Sequence, residues 1–388
     1  MIKVAHLSHS LEIGGAELAL RRVLENSRLL WRPFLFVPAS NATGDPFSGM
    51  GSDIRVVKCG PTQAPGGSKS IFLGLALLWN AVRMAMALRG SAEFRDADVV
   101  FANTTRASVY GRIAVLFARS RVFGVHMRDT CTRDSMGRFG FAIFSRFVLP
   151  RADFVISNSR YTERSVLPFI RSSCKSTVVP SPSGVPRVPA APEVSSDVRR
   201  IGMVARLDDW KGQDLLLTAF ADTGLAASGC VLLFAGAPAF GQQTWRDHLE
   251  EMVLELGLDG SVRFEGHVDD VTEFIDSLDI CIQASTRPEP LGQNVLQYLS
   301  RGKPTVVADI GGPAEWVLDD VNGLTFAAGS SADLAAKLLR LSDGGLRYRL
   351  GYSARETAGL RTDLEVASEI GSQLVSVFLN SGASLEAS

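Results

Sequence analysis

The sequence predicts an α/β protein built from two doubly wound domains that face a cleft. Three observations carry this. Short β-branched apolar runs alternate with helical stretches along the chain, the pattern of parallel sheets covered by helices on both faces. The chain has 388 residues, more than one ordinary core holds. A stretch with five prolines, Val179–Val194, splits the alternation in two and reads as a linker. The boundaries that follow are a first domain over 1–183, a second over 184–362, and a closing segment, 363–388, whose helix runs over Thr362–Asn380.

Each element has a local reason. In the first half the strand candidates are Val4–Leu7, Phe34–Val37, Val56–Lys58, Val99–Ala102, Val122–Val125 and Phe154–Ser157. In the second they are Arg200–Val204, Val231–Ala235, Val262–Glu265, Ile280–Gln283 and Thr305–Ala308. Doubly wound sheets bind ligands outside the carboxyl ends of their strands. The opening MIKVAHLSHS reads as a buried strand rather than a signal peptide. Ile71–Leu88 is the most apolar segment, but Gly74, Asn80 and Arg83 interrupt it, so it reads as a core or interfacial helix.

Composition bounds the function. Hydrophobic residues make up 46% and charged residues 21%, which excludes a disordered chain. The net charge of −1 hides an asymmetry. Residues 1–190 hold 25 Lys and Arg against 12 Asp and Glu, a net +13, and the remainder a net −14. Either the first half meets an anionic partner, or the halves attract each other. The five cysteines are scattered and form no CxxC, which fits a reducing cytoplasm and argues against a disulfide framework or a zinc site.

Three segments can carry chemistry. Gly14-Gly15-Ala16-Glu17 follows the first strand and opens a helix, where backbone amides can approach a phosphate. It lacks the G-x-G-x-x-G spacing of a dinucleotide fingerprint. Ile201–Phe220 ends a strand at Arg206 and places Lys211-Gly212 before a helix, so two cations at a strand's carboxyl end can hold a diphosphate. Arg287–Val317 reads as a polar loop at Glu289-Pro290-Leu291-Gly292, a helix stopped at Gly302-Lys303-Pro304, a buried strand and a second glycine turn. Loop amides at two helix starts with one carboxylate between them suit a ligand with an anionic part and hydroxyls.

With these motifs in this order, the chain resembles the retaining glycosyltransferases of family 4, with their E-x-F-G…E signature and following G-x-P-V-V strand. The resemblance covers nearly the whole chain. It implies the GT-B fold of two Rossmann-like domains, the first binding the acceptor and the second a nucleotide-diphosphate sugar. It implies that Gly14 and Gly15 touch the donor phosphate region, and that Arg206 and Lys211 hold the diphosphate. Glu289 would meet the donor sugar, with the amides of Leu291, Gly292 and Gln293. The family's second glutamate falls on Gln297, which still offers ribose a carbonyl acceptor. Gly236 and Val268 would lie beside the base.

A histidine after the matching first-domain strand implies an active-site role for His126, although a lone histidine on its own reads more often as structural. Asn103 and Arg128 on neighbouring strand ends are acceptor-side candidates. No cofactor and no metal are expected. Asp96-Ala97-Asp98 is a literal D-x-D, but it sits where acids commonly mark the start of a strand. Thr132–Arg151 alternates phenylalanines and arginines, and reads either as a membrane-surface segment or as a core helix with a basic edge.

The implied function is metal-independent, retaining transfer of a sugar to an acceptor hydroxyl, in bacterial surface polysaccharide or glycolipid assembly. An anionic lipid-linked or saccharide acceptor and a cytoplasmic protein at the inner face of the plasma membrane follow. Nucleic acid is not an expected partner. The alternatives are an epimerase or a glycosyl phosphorylase on the same fold, and a degenerate sugar-nucleotide-binding subunit.

Overall fold

The computed structural model of the chain describes residues 1–12, 14–27, 30–39, 45–61, 71–116, 121–189, 195–238 and 243–382. The last part of the proline-rich linker, 190–194, lies outside the described residues. The chain forms two compact units, Met1–Pro182 with Asp363–Ser388, and Ser183–Thr362.

In the first unit, strands β1 (Lys3–Leu7), β2 (Arg32–Pro38), β3 (Arg55–Cys59), β4 (Val99–Ala102), β5 (Val122–Met127), β6 (Phe154–Ser157) and β7 (Lys175–Val178) make a parallel sheet. Its order is β3-β2-β1-β4-β5-β6-β7. The helices between them are α1 (Gly15–Glu25), α2 (Ile71–Gly90), α3 (Ala92–Asp96), α4 (Thr105–Ala114), α5 (Arg133–Ile143) and α6 (Arg160–Val166). Ser91, Thr104, Thr132 and Ser159 cap α3, α4, α5 and α6 by accepting from backbone amides, which satisfies donors a helix start leaves open. α5 kinks at Gly137 and has no buried residue.

The second unit holds β8 (Arg200–Val204), β9 (Val231–Ala235), β10 (Val262–Gly266), β11 (Ile280–Gln283), β12 (Thr305–Ala308) and β13 (Leu324–Phe326). Its parallel order is β10-β9-β8-β11-β12-β13. Helices α7 (Gln213–Thr223), α8 (Gln243–Glu255), α9 (Val271–Asp276), α10 (Gln293–Ser300), α11 (Ser331–Arg340) and α12 (Gly344–Arg355) cover it. Leu216 and Phe220 of α7, Leu249 of α8 and Leu338 of α11 fill one face, over Ile201, Leu232, Ile282 and Val306. Val295 and Leu299 of α10 pack near Val307 on the other. Each such side chain contributes about 1.5–3 kcal/mol by leaving water.

The chain then adds α13 (Asp363–Asn380) to the first unit. Val366, Ile370, Leu374 and Phe378 of this helix cover Val4, Val99, Phe101 and Phe154 on one face of the first sheet. Met84, Phe94, Tyr110 and Phe144 fill the opposite face.

Two strands, β7 and β13, escape the sequence reading. Both are short edge strands, KSTV and LTF, too brief to show an apolar run. β5 also runs two residues past its expected end at Val125, because His126 and Met127 pair with Ile156 and Ser157 of β6.

Candidate active site

In each sheet the strand order reverses once, between β1 and β4 in the first and between β8 and β11 in the second. Loops after such a pair diverge and leave a crevice at the carboxyl ends. In the second unit these loops carry Arg206 and Lys211 after β8, and Ser285 and Glu289 after β11.

Backbone geometry brings the two loops together. Gly212 has φ +78°, and a Cβ there would come within 2.0 Å of the Ala284 carbonyl oxygen. Only glycine lets the loop press so closely against the end of β11. The Thr286 amide donates to the Trp210 carbonyl at 2.9 Å and ties the loops a second time.

As a result Lys211 Nζ lies 2.8 Å from Glu289 Oε1, and both side chains are nearly buried. The ammonium also sits 4.2 Å from the centre of the Trp210 ring, a cation–π contact. Glu289 Oε1 further accepts from Gln283 Nε2 at 3.1 Å and from the Ser285 hydroxyl. Gln283 is itself fixed, since its Oε1 accepts from the Ala308 amide at 3.3 Å. Burial works against the charged Glu289, but Lys211 and the hydrogen bonds from Lys211, Ser285 and Gln283 outweigh it and hold the carboxyl below its usual range. These bonds all fall on Oε1, so among the described residues Oε2 is the open oxygen.

Arg206 stands apart from this network. Its side chain is 60% exposed and, among the described residues, pairs only with Asp208, at 3.7 Å. The Gln213 side chain holds the Arg206 carbonyl at 2.8 Å, which fixes the backbone while leaving the guanidinium in solvent. Gly292 caps α10, and Gln293 opens it. Val268 lies half-buried between β10 and α9.

Several expectations need correction or refinement here. The Leu291 side chain packs in an apolar cluster with Val295 and Leu296, so only its backbone can face a ligand. The Gly236 amide donates to the Gly266 carbonyl at 2.7 Å and is already committed. Gln297 was expected as a ribose acceptor. Its Nε2 donates to the Ser183 carbonyl at 2.9 Å, which leaves the carbonyl oxygen for that role, and the residue is 8% exposed.

In the first unit α1 begins at Gly15 behind Gly14, which has no side chain to cap it, and the Glu17 carboxylate in the first turn bonds its own backbone amide. Asn103 after β4 and Arg128 after β5 meet directly. Arg128 Nε donates to Asn103 Oδ1 at 2.8 Å, and its Nη1 donates to the Ser181 hydroxyl at 2.7 Å. Burial pulls Arg128 down to about 10, partly opposed by Glu17.

His126 is not at the strand end. It lies inside β5, 2% exposed, with its ring stacked on Phe101 at 5.4 Å and, among the described residues, Nε2 without a partner. Burial first, then Arg128 and His6, hold it well below its usual value, so it is a neutral core residue. The position expected for it, just after the strand, is corrected by the two extra residues of β5. The D-x-D acids are also spoken for, since Lys3 Nζ meets Asp96 at 2.9 Å and the Lys3 amide donates to Asp98 at 2.8 Å. Among the described residues no group of His, Cys, Asp and Glu is arranged to hold a metal.

Sequence reasoning missed Trp210, Gln283 and Ser285 around Glu289, and Ser181 and Glu17 around Arg128. None belongs to a charged or glycine motif that would have singled it out except Glu17, which sits in the glycine turn.

Two family models match. One, described as glycosyl transferases group 1, covers residues 187–357, and the other, a glycosyl transferase 4-like domain, covers residues 14–182. The chain is 34% identical over 113 residues to the lipopolysaccharide core biosynthesis glycosyltransferase LpsE of Rhizobium meliloti, spanning 29% of this chain and 33% of that protein. It is 32% identical over 156 residues to the putative glycosyltransferase EpsD of Bacillus subtilis, spanning 40% of this chain and 39% of that one. The matched stretches thus span only about a third of the length of these curated relatives.

Among solved structures, Anabaena HepE in complex with UDP and glucose has a TM-score of 0.77 at 24% identity, covering 97% of this chain and all of that one. The sucrose-phosphate synthase of Thermosynechococcus elongatus has a TM-score of 0.80 at 18% identity, covering 98% and 100%. These likenesses establish the GT-B fold. With one model on each half, the chain carries a glycosyl transferase 4-like first domain and a second domain of the glycosyl transferases group 1.

Proposed function

We propose that the chain is a retaining glycosyltransferase that moves a sugar from a nucleotide-diphosphate sugar to an acceptor hydroxyl without a metal. The observation that carries this reading is the Lys211–Glu289 pair at the switch point of the second sheet, with Arg206 exposed on the same loop as Lys211. A diphosphate leaving group develops negative charge as the anomeric bond breaks. The Lys211 ammonium and the exposed Arg206 guanidinium are placed to take it, which is the usual large electrostatic contribution to such a step. Glu289 offers Oε2 to sugar hydroxyls while three donors fix its other oxygen.

In the step itself the bond from the anomeric carbon to the phosphate oxygen breaks. The acceptor oxygen bonds to that carbon on the same face, and its proton passes to the leaving phosphate. The amides at Gly14 and Gly15 suit the donor phosphate region, while Gly292, Gln293 and the Leu291 backbone suit the sugar. Gly236 and Val268 suit the base. Asn103 and Arg128 suit the acceptor. That HepE is described in complex with UDP and with UDP-glucose supports a nucleotide-sugar donor.

The relatives' names support a place in surface polysaccharide or lipopolysaccharide assembly. An anionic, lipid-linked acceptor is supported by the +13 first half and by α5, where Phe139 is 53% exposed beside Arg138. No helix among the described residues is long and apolar enough to cross a membrane, so the contact would be peripheral.

A thermal-shift screen of UDP-, GDP- and ADP-sugars tests the donor, because a ligand bound only to the folded state raises its melting temperature. NMR of the product's anomeric configuration tests retention. Inverted product would overturn the mechanism, and no shift with any nucleotide sugar would overturn the function.

A further inference from the structure

The first unit carries a charged group that the donor chemistry does not use. Arg128 follows β5 at the carboxyl edge of the sheet, next to the β1/β4 switch point. Two of its three nitrogens are held by neutral oxygens, Nε by Asn103 Oδ1 at 2.8 Å and Nη1 by the Ser181 hydroxyl at 2.7 Å. Both holders are buried and fixed: Asn103 is 1% exposed and its Nδ2 donates to the Ala16 carbonyl at 3.3 Å. Ser181 is 5% exposed. The third nitrogen, Nη2, is buried and, among the described residues, has no partner.

A guanidinium is planar and its donors form a rigid fork. Clamping Nε and Nη1 therefore fixes where Nη2 points. A buried donor without an acceptor costs free energy, more so on a charged group. Among the described residues the acid that acts on Arg128 is Glu17, in the first turn of α1. It acts through space: among the described residues no ion pair within 4.0 Å joins the two. Glu17 is 6% exposed, and its carboxyl is pushed up by burial, with Arg128 working in the opposite direction. The cluster thus holds a cation aimed by neutral groups, with its counter-charge set back rather than bound.

We propose that Arg128, aimed by Asn103 and Ser181, binds an anionic oxygen of the acceptor, a phosphate or carboxylate, at a site separate from the diphosphate site of Lys211 and Arg206. This rests on the acceptor-side reading of the first unit. The geometry gives the acceptor oxygen the charge-assisted hydrogen bond that Nη2 lacks. Glu17 sets the strength of the site, because its negative charge repels the same oxygen that Arg128 attracts. Asn103 is a positioning residue, since it acts on the acceptor only through the guanidinium.

The test uses the full chain and inorganic phosphate as the probe, in the double variant Arg206→Ala/Lys211→Ala, which removes the diphosphate site. Melting temperature is followed over millimolar phosphate, with chloride matching the ionic strength. Phosphate is expected to stabilise this background, and Arg128→Gln to abolish the effect. Glu17→Gln is expected to lower the apparent dissociation constant several-fold. Asn103→Asp places a carboxylate on Nε and is expected to weaken phosphate binding about tenfold while keeping the bond that holds the side chain. It keeps the test alive if Arg128→Gln fails to fold. A structural role alone would not give opposite signs for Glu17→Gln and Asn103→Asp.

Phosphate stabilisation that is absent from the double variant, or unchanged by Arg128→Gln and Asn103→Asp, overturns the proposal. UDP binding to otherwise wild-type Asn103→Asp should stay within about threefold of wild type. A larger loss would make the anion the donor's own diphosphate and overturn the acceptor assignment. None of these readings requires transfer activity, so a failure here is separate from a failure of the transferase reading.

Discussion

Replacing Gln297 by glutamate restores the family's residue and should nevertheless harm this protein. The Gln297 amide donates to the Ser183 carbonyl at 2.9 Å from a position only 8% exposed. A carboxylate there has no proton to give, so two acceptors face each other across that distance. Leaving a buried polar group unsatisfied costs about 1–3 kcal/mol. For a unit of this size each kcal/mol lowers the melting temperature by about 2–4 °C, so a loss of about 2–12 °C is expected. Gln297→Ala removes the same donor without adding charge, and the gap between the two variants isolates the electrostatic part.

The pH dependence has a definite sign. A carboxyl disfavoured as an anion in the folded state has its pKa raised there. The unfolded chain then binds fewer protons above the ordinary carboxyl value, about 4.3, and the variant's stability falls as pH rises through that region. Acidification should recover the deficit, because the introduced carboxyl, once protonated, can donate to Ser183 as the amide does. Scanning calorimetry of the ligand-free variants at neutral and mildly acidic pH measures all of this. A Gln297→Glu protein as stable as wild type at neutral pH, or one that binds nucleotide more tightly, would refute the reasoning and return Gln297 to the ribose.

Arg206→Ala and Lys211→Ala should both weaken nucleoside diphosphate binding, by roughly 1.5–3 kcal/mol each as measured by calorimetric titration. They should differ in stability: Arg206 is exposed and its loss should stay within about 0.5 kcal/mol, whereas losing Lys211 strands the buried Glu289 carboxylate. Glu289 is held below its usual range in the fold, so the wild type gains stability from it above the unfolded carboxyl value and loses it as pH falls through the depressed one. Lys211→Ala should flatten that acid limb in a pH-melting series. Activity should persist in excess EDTA, since Lys3 engages both acids of the D-x-D; loss restored by Mg²⁺ or Mn²⁺ would count against this. Sedimentation with anionic vesicles should fall with salt and on changing Arg138 and Arg146 to glutamate, and equal recovery with and without lipid would leave a soluble acceptor.

Much of the fold was legible because its strands are central and apolar. Val99–Ala102, Phe154–Ser157, Val231–Ala235 and Thr305–Ala308 end in the structure where the sequence puts them. They are short apolar runs bounded by polar, glycine or proline residues, which is the signal the eye reads. What was not legible depends on partners distant in sequence. Nothing in Val-His-Met announces that β6 will pair two residues further and bury His126. Gln297 is an acceptor or a donor according to what faces it, and Ser183 lies 114 positions away. The charged residues Arg206, Lys211 and Glu289 stand out in a sequence. The neutral ones that aim them, Gln283, Ser285 and Trp210, do not.

The return of α13 to the first unit has a consequence for synthesis. Its residues Val366, Ile370, Leu374 and Phe378 close the face of the first sheet that holds Phe101 and Phe154. They are translated after the whole second unit. A domain usually folds as it leaves the ribosome, the N-terminal one first. Here the second unit, continuous from Ser183 to Thr362, can complete itself while the first still waits with one apolar face uncovered. The earlier-made half would be the later to mature, and a stalled ribosome near residue 362 would hold a sticky intermediate rather than a finished domain.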